Sequence, residues 1–461
     1  MTDLTDVRPT IPDFSGQQLA PGDDGYDRSR SVFNGMIDRS PSLIATCRSA
    51  KDVAAAIAWA RASDLPISVY GGGHSVQGSA VLDGGLCVDL RGLRDVVVDP
   101  EAATAQVGGG CTWGELDAAT QEHGLAVTGG RVSTTGVGGL ALGSGSGWLE
   151  RRLGFTCDNL IEAQVVTADG QIVTASETEH PDLFWALRGG GGNFGVVTRF
   201  TLRLHPVGPI VFGGMLMYPA PMGADVLRNF RDFIADAPDE VGGGVAFITA
   251  PPIEMVPEPA RGKPAVGVIV AWTGPLEQAE AVLAPLLTFG PPVFAHVGPM
   301  PYVALQRMLD DANPHGMQNY WTADFFDELP DEAVETLVPL ATAPVSPLSQ
   351  VIIVPGGGAI ARVPEDATAF GERQARFNIH YLSMWPDPAD SEANIAHTRA
   401  LAAALKPWTT GAVYLNFIGD EGQDRIESSF GETKLARLRE IKATWDPDNV
   451  FRHNQNIPPA G

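Results

Sequence analysis

"HPDLFWALRGGGGNFGVVTRFTLRL", His180 to Leu204, carries the spacing GxGxxG at Gly190, Gly192 and Gly195. In a Rossmann dinucleotide fold that spacing follows a strand and opens a helix, so that a pyrophosphate rests on the helix N-terminus. Here the strand-like run VVTRFTLRL comes after the glycines. The order is wrong for that fold, and a Rossmann site is rejected. The glycines need another use.

Glycine is the compositional outlier, with 53 in 461 residues, about one and a half times the usual ~7% share. The excess gathers at 71–78, 108–114, 129–147 and 189–195. Clustering of this kind points to close backbone approach to a ligand. Turns that leave several N–H groups free make anion-binding concavities, and a long cofactor with a pyrophosphate needs several of them. One cluster, "VYGGGHSVQGSAV" at Val69–Val81, places His74 among small residues, where a core histidine would have apolar neighbours.

The chain length predicts two or three domains. The net charge is −24, from 55 acidic and 31 basic residues, the wrong sign for a nucleic-acid groove. The opening "MTDLTDVRPTIPDF" has no basic n-region and no apolar h-region, so no signal peptide is expected. No apolar run of about 18 residues predicts a membrane span. Cys47, Cys87, Cys111 and Cys157 lie far apart without CxxC spacing. That predicts reduced thiols, a cytoplasmic location and no zinc site. There is no Walker A string, no GxSxG elbow and no HExxH, and no metal is expected.

Residues 1–40 read as a leader with helix-forming character over "DDGYDRSRSVFNGMIDRSP". "SLIATCR" then reads as a strand, "SAKDVAAAIAWARAS" as a helix capped by Ser49, and "LPISVYG" as a strand. Short strands follow, with a turn at Asp99–Pro100, then the helix "TWGELDAATQEHG" closed by Gly124. "NLIEAQVVTADGQIVTAS" reads as a hairpin through Asp169–Gly170, and "FGVVTRFTLRLHPVG" as a strand. From about 208 the glycine clusters thin. "PIVFGGMLMY", "GGVAFITA", "PAVGVIVAW", "SQVIIVPG" and "FNIHYLSMW" read as strands of an antiparallel sheet. "GADVLRNFRDFIADA", "LEQAEAVLAPLLTF" and "DEAVETLVPLATA" read as helices between them. The tail "KLARLREIKATWDPDNVFRHNQNIPP" reads as a helix and a Pro/Asn-rich end. The fold class is α+β.

Five ordered motifs carry a family likeness: "VYGGGHSVQG", "GRVSTTGVGGLALGSGSGWLERRLGFTCDNL", "VVTADG", "HPDLFWALRGGGGNFGVVT" and "WDPDNVFRHNQNIPP". Together they resemble the berberine-bridge-enzyme-like branch of the vanillyl-alcohol-oxidase (PCMH-type) flavoprotein superfamily. "RSVFNGMIDRSP", "MPYVALQ" and "FRHNQNIPP" are similar to a bacterial single-tether group that includes the enterocin-pathway favorskiiase. The resemblance covers about residue 25 to the end. It implies a two-domain fold: an FAD-binding domain at 1–207 (core about 38–207), a substrate domain with an antiparallel sheet at 208–410, and a return to the FAD domain at 411–461.

The resemblance also implies that His74 is bonded covalently to the flavin 8α-methyl. Such a bond raises the flavin potential and fixes its position. The implied cofactor contacts are Gly71, Gly72, Gly73, Ser75, Gln77, Gly78, Val132, Ser133, Thr135, Gly136, Gly138, Gly139, Gly143, Asn193, Gly195, Val197, Tyr414, Asn416 and Asn454. Many relatives have a second tether, a cysteine, where this chain has Val132, so a single tether is expected. Thr135 matches a residue lining oxygen's approach. On the substrate side, period two puts Asn378, His380, Leu382 and Met384 on one strand face, with Tyr381 on the other. His380 matches a flavin-facing position and is assigned as base or as orienter of a substrate hydroxyl. Ile352 stands where several relatives have a catalytic glutamate. Tyr414 and Asn416 match a YxN motif and are expected on one strand face.

Three readings stay open at this level. The first is an oxidase that takes hydride from an alcohol, phenol or natural-product intermediate and returns electrons to dioxygen, releasing hydrogen peroxide. The others are a flavin monooxygenase of a secondary-metabolite pathway and a flavin-binding protein without turnover. The expected partners are a small-molecule substrate and dioxygen, with no nucleic acid and no membrane, in a monomer or homodimer.

Overall fold

The structure, a computed structural model, describes residues 9–461. The first residues of the amino-terminal segment read above, 1–8, lie outside it. Of the helix-forming leader only Tyr26–Arg30 is helical. The irregular stretch after it is fixed by Asn34. Its Nδ2 donates to the carbonyls of Val76 and Asn319, at 2.7 and 2.9 Å, and its Oδ1 accepts from Asn319 N–H. A single buried amide thus ties the His74 loop to a distant strand.

Two larger sheets form most of the first half, with a two-stranded pair, Leu125–Ala126 and His205–Pro206, beside them. The strands Leu43–Thr46, Leu86–Asp89 and Ile67–Tyr70 pair in parallel, with Gln17–Leu19 antiparallel at the edge. Their apolar runs pack under the helix Ala50–Ala62, which turns Val53, Ala56, Ile57 and Ala60 inward. Ser49 caps that helix, accepting from Asp52 N–H at 3.2 Å, a device worth about 1 kcal/mol. The second sheet is antiparallel and ordered Val96–Asp99, Thr104–Gly108, Val196–Arg203, Leu160–Val166, Ile172–Ser176.

The stretch 180–204 resolves as helix, glycine connection, strand. Pro181–Leu187 is helical and Val196–Arg203 is the central strand of the five-stranded sheet. That is the reverse of the Rossmann order. Gly195, at φ +150°, passes so close to its neighbour that a Cβ would meet Val165 Cγ1 at 2.5 Å. Glycine serves strand packing there.

Residues 210–385 supply a seven-stranded antiparallel sheet, ordered Phe294–Pro301, Ile210–Pro219, Pro264–Trp272, Val241–Thr249, Gln350–Pro355, Phe377–Trp385, Gln318–Phe326. Helices Gly223–Asp236, Asp331–Ala341 and Ser391–Leu405 cover one face, where Ile353, Ile379 and Tyr381 are buried with Phe230 and Leu337. Each such side chain contributes roughly 1.5–3 kcal/mol by leaving water. The alternate residues Ile352, His380 and Leu382 look the other way, toward the first half.

Two strands and one helix go beyond the sequence expectations. Phe294–Pro301 is a half-exposed edge strand whose glycine and prolines hide its pattern. Gln318–Phe326 is buried on both faces, so polar–apolar alternation is lost. Ser391–Leu405 is alanine-rich, with only four buried positions. The expectation of a strand face for Tyr414 and Asn416 is corrected. Leu415–Phe417 is a 3-10 turn, and the pair come together because the chain coils, with Asn416 Nδ2 3.3 Å from Tyr414 Oη.

The C-terminal helix Gly431–Trp445 returns to the first half, burying Leu435, Leu438 and Ile441 against Leu183, Phe184 and Trp185. Among the described residues no helix is long and apolar enough to cross a membrane. The four cysteines are buried and unpaired.

Candidate functional site

The loop after strand Ile67–Tyr70 carries His74. Its glycines serve a contact between two loops. A Cβ on Gly72 would lie 2.2 Å from Gly136 N, and a Cβ on Gly136 would lie 2.4 Å from Gly72 N. The two backbones touch, which brings His74 beside Thr134, whose Oγ1 is 2.8 Å from His74 Nε2. Nδ1 makes no hydrogen bond to a described residue. The ring stacks on Phe33 at 4.3 Å and meets His315 edge-on at 5.3 Å. Burial, with His315 adding to it, pushes the His74 pKa down to about 3, so the imidazole is neutral.

A cavity of about 300 Å³ runs between the glycine-rich loops and the seven-stranded sheet. Of the residues expected at the cofactor, Gly71, Gly72, Gly73, His74, Ser75, Val132, Thr135, Gly136, Gly138, Gly139, Gly143, Gly195, Val197, Asn416 and Asn454 line it, as does His380. Gln77, Gly78, Ser133, Asn193 and Tyr414 stand off its wall. Gly78 packs on Ile37. Ser133 N–H and Oγ both donate to the Asp310 carboxylate, at 2.8 and 2.6 Å. Asn193 holds the glycine connection to the C-terminal segment, donating to the carbonyls of Gly190 and Gln455 and accepting from Ile457 N–H. Tyr414 Oη accepts from Ser146 N–H at 2.9 Å, deep behind the wall. These residues position their neighbours.

Ile352 and His380 are direct partners across adjacent strands. His380 is 2% exposed, and neither ring nitrogen has a hydrogen-bond partner among the described residues. Its ring stacks on Phe417 at 4.0 Å, and Phe417 stacks on Trp321 at 5.7 Å. Burial, then the nearby positive charge of Arg131, drives the His380 pKa well below the usual imidazole value.

Several wall residues were absent from the sequence reading. Arg131 pairs with Glu150 at 3.0 Å and also donates to Ser146 Oγ. Phe33, Leu309 and Trp321 also line the cavity, and His315 reaches the His74 ring. Phe33, Leu309, Trp321 and His315 lie outside the five ordered motifs, and Arg131, though beside Val132 in one of them, meets its partners Ser146 and Glu150 only in the fold.

The residues present fit FAD. Gly139, in the helix Val137–Leu142, lines the cavity, and apart from its own helix backbone and chain neighbours nothing lies within 4 Å of where its Cβ would stand, so the bare backbone forms a cradle. His453 Nε2 and Asn454 Oδ1 are buried without a partner among the described residues, and both residues line the cavity. The N–H groups of Gly72, Gly73, His74 and Ser75 likewise have no partner there, which suits an anionic ligand.

Comparison with known proteins agrees. Residues 41–176 match the family model described as "FAD binding domain", and residues 413–458 match "Berberine and berberine like". The chain is 31% identical to (R)-6-hydroxynicotine oxidase of Paenarthrobacter nicotinovorans, covering 97% of this chain and 98% of that protein. It is 30% identical to the FAD-linked oxidoreductase YgaK of Bacillus subtilis over 97% of each. The crystal structure of 6-hydroxy-D-nicotine oxidase from Arthrobacter nicotinovorans superposes with a TM-score of 0.87 at 30% identity, covering 97% of this chain and 98% of that one. The fold is the two-domain α+β PCMH-type fold, and FAD is the cofactor. The chain belongs to the berberine-bridge-enzyme-like family of FAD-linked oxidoreductases.

Proposed function

We propose that this protein is an FAD-linked oxidase of a small organic substrate, with the flavin held by one covalent bond from His74. FAD bound here supplies hydride acceptance at N5 and the return of two electrons to dioxygen, releasing hydrogen peroxide. The observation that carries the reading is one cavity walled on one side by His74 and the glycine loops and on another by His380. Residues 1–207 with 411–461 form the flavin domain in this reading, and 208–410 the substrate domain.

His74 is suited to bond formation. It is neutral, and Thr134 engages Nε2, which leaves the Nδ1 lone pair for the 8α-carbon. Val132 lines the cavity where relatives have a second tether. It offers no nucleophile, so the hold is single. Thr135, also on the wall, is small enough to leave dioxygen a route.

His380 orients the substrate. A group held neutral by burial and by Arg131 resists gaining a proton, so it makes a poor base. Its two free ring nitrogens can donate one hydrogen bond and accept another, fixing a substrate hydroxyl. Ile352 beside it supplies no carboxylate. In this reading the hydroxyl proton passes to water, and His380 orients the hydroxyl without taking the proton.

Denaturing gel fluorescence of wild type beside His74→Ala tests the tether. Yellow fluorescence is expected on the wild-type band and none on the variant. Fluorescence that stays with the unfolded variant overturns the tether. A phenol and alcohol panel under isotopic dioxygen tests the chemistry. Peroxide without label in the product is expected, and label in the product makes the protein a monooxygenase.

A further inference from the structure

The cavity wall holds no aspartate, glutamate or lysine among the described residues, in a chain with 55 acidic residues. Arg131 is the one permanently charged side chain on it. Its charge is already answered, by Glu150 at 3.0 Å, by Ser146 Oγ at 2.9 Å and by stacking 4.8 Å over the Trp148 ring. On the sheet side the wall is apolar. Ile352, Leu382, Trp321 and Leu309 are each at most 8% exposed, and Phe417 closes the row. The Trp321 Nε1–H is engaged with Asn319 Oδ1 at 3.1 Å. His380 therefore offers a free polar edge in this row of rings and aliphatic groups, and Asn313, whose Nδ2 donates to the Leu309 carbonyl at 2.9 Å, is the polar neighbour beyond Leu309.

Resting on the proposed function, we infer that this part of the site takes an uncharged, mainly apolar ring compound that presents one hydroxyl to His380. Amine cations are excluded because no counter-ion meets them, and burying an unpaired charge is strongly unfavourable. Saccharides are excluded because most of their hydroxyls would lose water and gain no partner. A flat ring is favoured because stacking and edge contacts with Trp321 and Phe417 add to its burial. Ile352 is the specificity-determining residue, since it stands in register beside His380 and decides whether the neighbouring group is apolar or anionic.

Calorimetric titration of the flavin-loaded protein under argon at pH 7 tests this, with 2-naphthol, N,N-dimethylbenzylamine (a cation at this pH) and cellobiose as probes. The expected result is 2-naphthol binding at least tenfold tighter than either other probe. Equal or tighter binding of the amine or the disaccharide overturns the inference, as does a lack of binding by 2-naphthol. Ile352→Asp is expected to tighten the amine at least tenfold, and Leu382→Asp serves in its place if that chain does not fold. No gain of the amine in a folded variant overturns the role of this wall. Binding is read without turnover. A protein that binds 2-naphthol and releases no peroxide from any substrate fails the oxidase reading alone. One that prefers cellobiose and oxidises it fails this inference alone.

Discussion

At the scale of single residues, the hydrogen bond between Thr134 Oγ1 and His74 Nε2 has a consequence for the tether. If the hydroxyl accepts from Nε2–H, the proton is kept there and the lone pair stays on Nδ1. Thr134→Val removes the acceptor at nearly the same volume. Covalent incorporation into apoprotein, followed by gel fluorescence against time, is expected to slow about tenfold, the size of one hydrogen bond, and Thr134→Ser is expected to restore it. His380 gives a second outcome. It is held neutral well below the usual imidazole range, so no acid limb of kcat/KM near pH 6.5 belongs to it. His380→Gln is expected to lower kcat/KM about ten- to a hundredfold and leave the shape of the pH profile unchanged. A lost limb in the variant would assign proton transfer to His380.

Among the elements, the helix Trp113–Gln121 meets the helix Tyr302–Gln306 through a buried pair, Gln306 Nε2 donating to Asp117 at 3.0 Å. Burial pushes the Asp117 carboxyl up to about 7, against about 3.9 in an unfolded chain. Between about pH 4 and 7 the folded protein therefore holds a proton that the unfolded chain releases. This contribution is full below about pH 4, falls as pH rises by at most ~1.4 kcal/mol per unit, and levels off above 7. Asp117→Asn keeps an acceptor for Gln306 and gains a donor for Gln306 Oε1, which has no partner among the described residues. In urea titrations the variant is expected to gain stability relative to wild type from pH 5 to pH 7. A constant difference would mean that Asp117 is ionised in the fold. The two Ser133 bonds to Asp310 join the same two parts of the chain, so the loop bearing Val132 and Thr135 is set from the sheet side.

For the whole molecule, the C-terminal segment is the closure. Lys442 and Asp446 form a fully buried pair at 2.6 Å, and Lys442 Nζ also donates to the carbonyls of Asn193 and Phe451, at 2.8 and 3.1 Å. One ammonium thus gathers the glycine connection, the last helix and the tail that carries His453 and Asn454. Lys442→Ala leaves a carboxylate buried without its cation, and is expected to cost about 3–5 kcal/mol in urea unfolding. Loss of non-covalent FAD from a His74→Ala background is expected to follow. Stability unchanged within about 0.5 kcal/mol would remove the pair from this role.

Much of this was legible in one dimension. The glycine connection at 189–195 precedes a strand, which alone excludes the Rossmann plan. Ser49 and the helix it caps, the Asp169–Gly170 hairpin and the alternation of "FNIHYLSMW" are local patterns, set by residues a few positions apart. His74, Val132, Ile352 and His380 were singled out by motif likeness, and all four line one cavity. What the tertiary structure alone decided involves pairs far apart in the chain. The Gly72–Gly136 contact gives two motif glycines a packing role. Tyr414 Oη accepts from the N–H of distant Ser146. Phe33, Arg131, Trp321 and the pair Leu309 and His315 converge from four segments with no shared period. The sequence alone determined which backbone stretches bend and which side chains alternate, because those follow from neighbours along the chain. The uncharged wall beside His380 depends on which distant segments meet, and only folding decides that.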